Sequence, residues 1–117
     1  MNLELPDISY QEFLLWILRR RKRFRVTGKS MQPLLQPGEE ILINPHAYGQ
    51  SPPQVDDIVV VIHPHKSNLE IVKRIVEIRE NNTYFLQGDN LSHSTDSRNF
   101  GTVALNLIQG KVTSRFA

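Results

Sequence analysis

Residues that interrupt regular structure recur along this chain about every ten positions, which leaves room for short strands and for very little helix. Gly28, Pro33, Pro37-Gly38, the stretch 44–54 with three prolines and a glycine, His63-Pro64-His65 and Asn81-Asn82 are the main interruptions. Between them lie runs rich in β-branched and other apolar residues, at 23–27, 40–44, 57–62, 69–78, 83–87, 103–108 and 111–116. The last two are expected to pair through a turn at Gly110. The pattern predicts a mainly β, barrel-like domain, and no internal repeat or low-complexity tract argues otherwise.

One stretch, residues 8–21, carries a different period. Tyr10, Phe13, Leu14, Ile17 and Leu18 fall at i, i+3, i+4, i+7 and i+8, and Ser9 with Glu12 three residues on marks an N-terminal cap. The helix runs into Arg19, Arg20, Arg21, Lys22, Arg23 and Arg25, which are six of the fourteen basic residues. The remainder carries eight basic against twelve acidic residues, so the net charge of +2 conceals a basic segment on an acidic body. We divide the chain into an N-terminal helix and basic segment, 1–22, and a single β-rich domain, 23–117. The helix reads as an element docking on a membrane surface or a partner, or more simply as one packed on the barrel with a solvated basic end. Its continuous apolar run, 13–18, falls far short of the twenty or so residues of a membrane span. Apart from Phe24 the basic segment lacks interleaved aromatics, so no nucleic-acid partner is expected. With no cysteine there is no disulfide framework. We therefore expect a cytoplasmic protein with at most a salt-sensitive contact to an anionic membrane surface.

Two residues carry candidate chemistry. In Gly28-Lys29-Ser30-Met31-Gln32-Pro33-Leu34-Leu35, the glycine and proline place Ser30 on a bend that no helix or strand can run through. A serine hydroxyl needs a base beside it, and Lys73 lies in the alternating strand Glu70-Ile71-Val72-Lys73-Arg74-Ile75-Val76. Apolar neighbours there disfavour the ammonium form, leaving a neutral amine able to take a proton. The turn-rich segment 88–101 supplies polar groups for a pinned loop. His63 and His65, with His46 or His93, offer a rival nitrogen-only metal site. No carboxylate stands at a metalloprotease spacing, so solvated loop histidines, with no metal and no cofactor, are the expectation.

These three pieces resemble, in order, the Ser-Met-x-Pro, Lys-Arg and Gly-Asp-Asn…Ser-x-Asp-Ser-Arg-x-x-Gly boxes of the signal peptidase superfamily. The resemblance covers roughly residues 24–112. It implies a signal-peptidase or LexA-like catalytic domain in which Ser30 and Lys73 form a Ser/Lys dyad of a serine endopeptidase. It also implies that Ser94 hydrogen-bonds the lysine, that Asp96 and Arg98 form an ion pair fixing the loop, and that Met31 contacts substrate. The oxyanion hole would use the Ser30 N–H. Gly28 stands where bacterial relatives often have a second hydroxyl, and Asp56 where a glycine is usual. A short chain without an anchor is most similar to maturation proteases of nickel-type superoxide dismutase, which implies that precursor as substrate. The alternatives are an atypical signal peptidase at the membrane surface and a self-cleaving regulator of the LexA type.

Overall fold

The computed structural model describes residues 5–116; residues 1–4 of the N-terminal segment and Ala117 lie outside the described residues. Its strands are β1 (Lys22–Arg25), β2 (Glu40–Asn44), β3 (Ile58–His63), β4 (Lys66–Arg79), β5 (Thr83–Gln87), β6 (Val103–Ala104) and β7 (Ile108–Arg115). The run Ile58-Val59-Val60-Val61 makes β3 a strand with no wet side, and its side chains alternate between two cores. Ile58 and Val60 join Val26, Met31, Leu35 and Ile41 on one face. Val59 and Val61 join Ile75, Tyr84, Leu86 and Val103 on the other. Each fully buried aliphatic side chain contributes about 1.5–3 kcal/mol to the fold.

All strand pairs are antiparallel, in the order β1-β2-β7-β3-β4-β5-β6. The mainly β architecture is the expected one, but the sheet stays open, ending at β1 and β6. Extra residues in β7, opposite β2 and β3, and in β4, opposite β3 and β5, interrupt its register and bend those strands. β4 is long enough to serve two neighbours: Lys66 to Arg74 pair with β3, and Arg74 to Arg79 with β5. No described strand takes the second edge of residues 66–73.

The expected hairpin at Gly110 does not form. Residues 105–107 are a short 3-10 turn, and Gly110 lies inside β7, paired with Val60. The glycine is there for close approach, since a Cβ would stand 2.8 Å from the Asn44 carbonyl oxygen and nearer still to Ile43 Cγ2.

The helix α1 (Tyr10–Ile17) is shorter than the pattern predicts, stopping before Arg19, whose φ is +65°. Ser9 caps it by accepting the Glu12 N–H at 3.0 Å. The stripe Tyr10, Phe13, Leu14, Ile17 and Leu18 does not face the sheet. The helix is held from its other side, where Trp16 meets Phe116 edge-on at 4.7 Å and the Glu12 carboxylate accepts from Ser114 at 3.3 Å. Asp56 takes φ +77° in place of the usual glycine, its N–H bonded to the Ile75 carbonyl at 2.7 Å.

Candidate active site

Ser30 sits in the connection between β1 and β2, and the sequence pins that connection at both ends. The Val26 N–H donates to Glu39 and the Gly38 N–H to Val26, both at 2.8 Å, closing its base. Met31, Leu34 and Leu35 bury their side chains in the first core. The bend between is therefore anchored by apolar residues, while half-buried Ser30 turns toward a small cleft of about 70 Å³. Neither the Ser30 hydroxyl nor its N–H makes a hydrogen bond to another described residue.

Across the cleft the wall is β4. Leu69, Glu70, Ile71, Val72 and Lys73 all line it, facing Phe24, Val26, Thr27, Ser30 and Met31. Five consecutive residues of a strand can line one cleft only by showing it their edge, because alternate side chains point to opposite faces. This is the edge that no described strand takes.

Lys73 is 3% exposed, opposite Val59 of β3. Burial pushes its ammonium below the ordinary lysine value; the Asp96 charge opposes this and the Arg98 charge adds to it. Its Nζ donates to Ser94 Oγ at 3.0 Å, and Ser94 Oγ donates in turn to Asp96 Oδ2 at 2.7 Å. The direction of this chain matters. With the Ser94 proton committed to the carboxylate, Ser94 can only accept from Lys73, so a neutral Lys73 is left with its lone pair to offer elsewhere.

Asp96 is fully buried yet charged. Burial pushes its carboxyl up, but the Arg98 guanidinium, the Ser94 hydroxyl and the Gly88 and Arg98 N–H groups outweigh that and hold it at about 2. Arg98 Nε lies 2.9 Å from Asp96 Oδ1, and Arg98 Nη2 also donates to the Leu91 carbonyl at 2.8 Å, tying down the loop. Asp96 in addition caps α2 (Ser97–Phe100), accepting the Arg98 N–H at 3.1 Å.

Of the residues singled out in the sequence, the structure brings Ser30, Lys73 and Met31 to one cleft, with Ser94, Asp96 and Arg98 behind the lysine. Met31, 1% exposed, forms part of the apolar floor. Gly28 is exposed, takes φ +76° and does not line the cleft. Lys73 and Ser30 share the cleft without a hydrogen bond between them. Among the described residues no three His, Asp or Glu side chains form a set that could hold a metal.

Several positioning residues were given no role by the sequence reading. The Asn90 N–H donates to the Ser30 carbonyl at 2.8 Å and its Nδ2 to the Lys29 carbonyl at 3.1 Å, joining loop to bend. Gly88 lies between Ser30 and Ser94 so closely that no side chain fits. Arg74, on the strand face opposite Lys73, forms a two-pronged pair with Asp89 at 2.8 and 2.9 Å. The available signals were the Gly88-Asp89-Asn90 turn itself and the alternation that separates Arg74 from Lys73.

The sequence matches the family model described as signal peptidase, peptidase S26, over residues 13–79 and 77–117. It is similar to mitochondrial inner membrane protease subunit 1 of Schizosaccharomyces pombe, at 32% identity over 76% of this chain and 69% of the relative. It is also similar to mitochondrial inner membrane protease subunit 2 of Danio rerio, at 33% identity over 76% of this chain and 60% of the relative. A third relative is the mitochondrial ATP-independent inner membrane protease subunit 1b of Arabidopsis thaliana, at 34% identity over 75% and 65%. The chain thus spans 60–69% of the length of these relatives. They contradict the expectation of a cytoplasmic location, since each is an inner membrane protease by name. That expectation rested on a missing span, and a protein can work at a membrane without crossing it. None of the three is a superoxide dismutase maturation protease.

Proposed function

The chain belongs to the signal peptidase family, peptidase S26, and from that premise we propose that it is a serine endopeptidase using a Ser30/Lys73 dyad to process precursor proteins at a membrane. The observation that carries the dyad is the buried Lys73 amine, fixed from behind by Ser94 and Asp96 and opening onto the cleft that Ser30 shares. In this reading an extended stretch of precursor pairs with the untaken edge of residues 69–73, and a small side chain enters the cleft. Its free volume of about 70 Å³ is roughly that of two waters.

Ser30 Oγ attacks the scissile carbonyl carbon while neutral Lys73 accepts the hydroxyl proton. The carbonyl oxygen becomes an oxyanion facing the uncommitted Ser30 N–H, and the new ammonium of Lys73 gives its proton to the departing amine as the C–N bond breaks. A water then attacks the acyl-serine ester, losing its proton to Lys73, which returns it to Ser30 Oγ on release. Gly28 contributes no hydroxyl to the oxyanion, so backbone donors carry that charge.

In this reading the substrate is a precursor targeted to or across a membrane, which suits a signal peptidase family member whose relatives are named inner membrane proteases. The narrower reading, maturation of nickel-type superoxide dismutase, draws no support from them. The test is incubation of purified protein with both kinds of precursor, reading new N-termini by mass spectrometry, beside Ser30→Ala. Loss of all cleavage in Ser30→Ala is expected; cleavage at the wild-type rate there overturns the dyad.

A further inference from the structure

The apolar face of α1 is turned to solvent. Tyr10, Phe13, Leu14, Ile17 and Leu18 are all exposed, from 40% at Phe13 to 79% at Tyr10. The side of α1 that meets the sheet is the one carrying Glu12 and Trp16, so the helix is fastened by polar and aromatic contacts while its stripe stays exposed, touching that side only where the Phe13 ring meets Trp16 at 5.7 Å. An amphipathic helix in a globular domain normally faces the other way.

The chain that follows is cationic and only partly neutralised. Arg21 pairs with Glu12, and Arg23 and Arg25 with Glu40. Arg19, Arg20 and Lys22 are exposed, and their side chains form no hydrogen bond or ion pair with a described residue. An uncovered apolar stripe running into unpaired cations selects its partner by charge. A second copy packed stripe to stripe would bring another cationic segment, whereas an anionic lipid surface supplies both phosphates and an apolar layer.

We propose that α1 lies in the headgroup layer of an anionic bilayer, with Tyr10, Phe13, Leu14, Ile17 and Leu18 toward the acyl chains and Arg19, Arg20 and Lys22 on lipid phosphates. The inference rests on the membrane-side reading above and names the surface that makes the contact. No helix of the described residues is long and apolar enough to cross a membrane. Eight residues of helix extend only about 12 Å, so α1 lies along the surface. Five residues, a reach of at most about 22 Å, separate Leu18 from Phe24 in the cleft wall. The cleft is therefore held close to the bilayer, where the segment it cuts would emerge.

The test is sedimentation of the full chain with vesicles of phosphatidylcholine containing about 30% phosphatidylserine, and with pure phosphatidylcholine, at about 0.15 M salt. Wild type is expected to bind the anionic vesicles at least tenfold more tightly. Leu14→Glu/Ile17→Glu and, separately, Arg19→Glu/Arg20→Glu are each expected to lower that binding at least tenfold. Both should melt and cleave a soluble peptide as wild type does. Wild type left in the supernatant, or either double variant binding undiminished, overturns the proposal. So does a concentration-dependent dimer that Leu14→Glu/Ile17→Glu abolishes, for then the stripe is a self-association surface. Soluble-peptide cleavage is read independently, so its absence in wild type sinks the peptidase reading without touching the vesicle result.

Discussion

Gly88→Ala puts a single methyl where bend and loop touch. The added Cβ would stand 2.5 Å from the Ser30 carbonyl oxygen and 2.8 Å from Ser94 Cβ, and nearer still to Ser94 Oγ. Relief requires the Ser30 bend and the loop behind Lys73 to separate by roughly half an ångström, with little slack because Met31 and Asp96 are buried. Overpacking of this kind costs about 1–3 kcal/mol, or about 4–12 °C in Tm for a domain of this size. Moving Ser94 displaces the amine it holds, and misplacement on this scale lowers kcat/KM by about 10–100-fold. Thermal melts followed by circular dichroism, with peptide hydrolysis measured well below Tm, read both effects. Gly110→Ala separates them: its Cβ meets Ile43 and Asn44 away from the cleft, so it should lower Tm and leave kcat/KM of the folded protein unchanged. Gly88→Ala that melts and cleaves like wild type would refute the idea that close contact at this glycine holds the two halves of the site in register.

Lys73→Met should abolish cleavage and raise Tm at neutral pH, because it removes a buried ammonium whose burial outweighs its attraction to the Asp96 charge; an unchanged or lower Tm would show that the amine is not penalised. Since the folded protein holds Lys73 below its ordinary value of 10.5, kcat/KM should climb with pH until the amine is neutral and then level off below that value; a pH-independent rate would remove Lys73 as base. Asp96, held at about 2 against 3.8 when unperturbed, contributes about 2 kcal/mol above pH ~4 that is lost as pH falls toward ~2, and Asp96→Asn should flatten that limb of the stability curve. Asp96→Ala should cost about 3 kcal/mol by stripping the partners of the Gly88 N–H and the Ser94 hydroxyl, and a wild-type melt would make the buried carboxylate dispensable.

What could be read from the sequence was local. The Ser9 cap, the apolar run of β3 and the bend at Ser30 each follow from side chains within a few residues of one another. What could not be read depends on partners far along the chain. The periodicity of α1 identifies a stripe, but a stripe does not say what covers it, and Glu12 and Trp16 meet Thr113 of β7 and Phe116 just beyond it, about a hundred positions away. Gly110 has the same local appearance whether it makes a turn or admits a neighbouring strand; the neighbour, Asn44, decides. Asn90 reaches the Ser30 bend across some sixty residues; the Gly88-Asp89-Asn90 turn marks the residue but not its partner. The cytoplasmic expectation failed for a related reason, since the length of an apolar run limits spanning and says nothing of resting on a surface.

The position of β7 has a consequence for when the protein first becomes active. It is the latest of the described strands in sequence, yet it lies between β2 and β3 and, among the described strands, alone joins the Ser30 side of the sheet to the Lys73 side. A nascent chain can pair β1 with β2 and assemble β3 through β6 while the two groups stay apart. Until residues 108–115 insert, the sheet does not join the two groups and Asn90 must hold the Ser30 bend without it, so a ribosome-bound chain stopped before Ile108 is expected to cleave poorly, however much of its sheet has formed. A stalled-chain cleavage assay would detect the opposite. In the proposed role of a precursor-processing peptidase, this topology keeps the blade sheathed until residues 108–115 have been made.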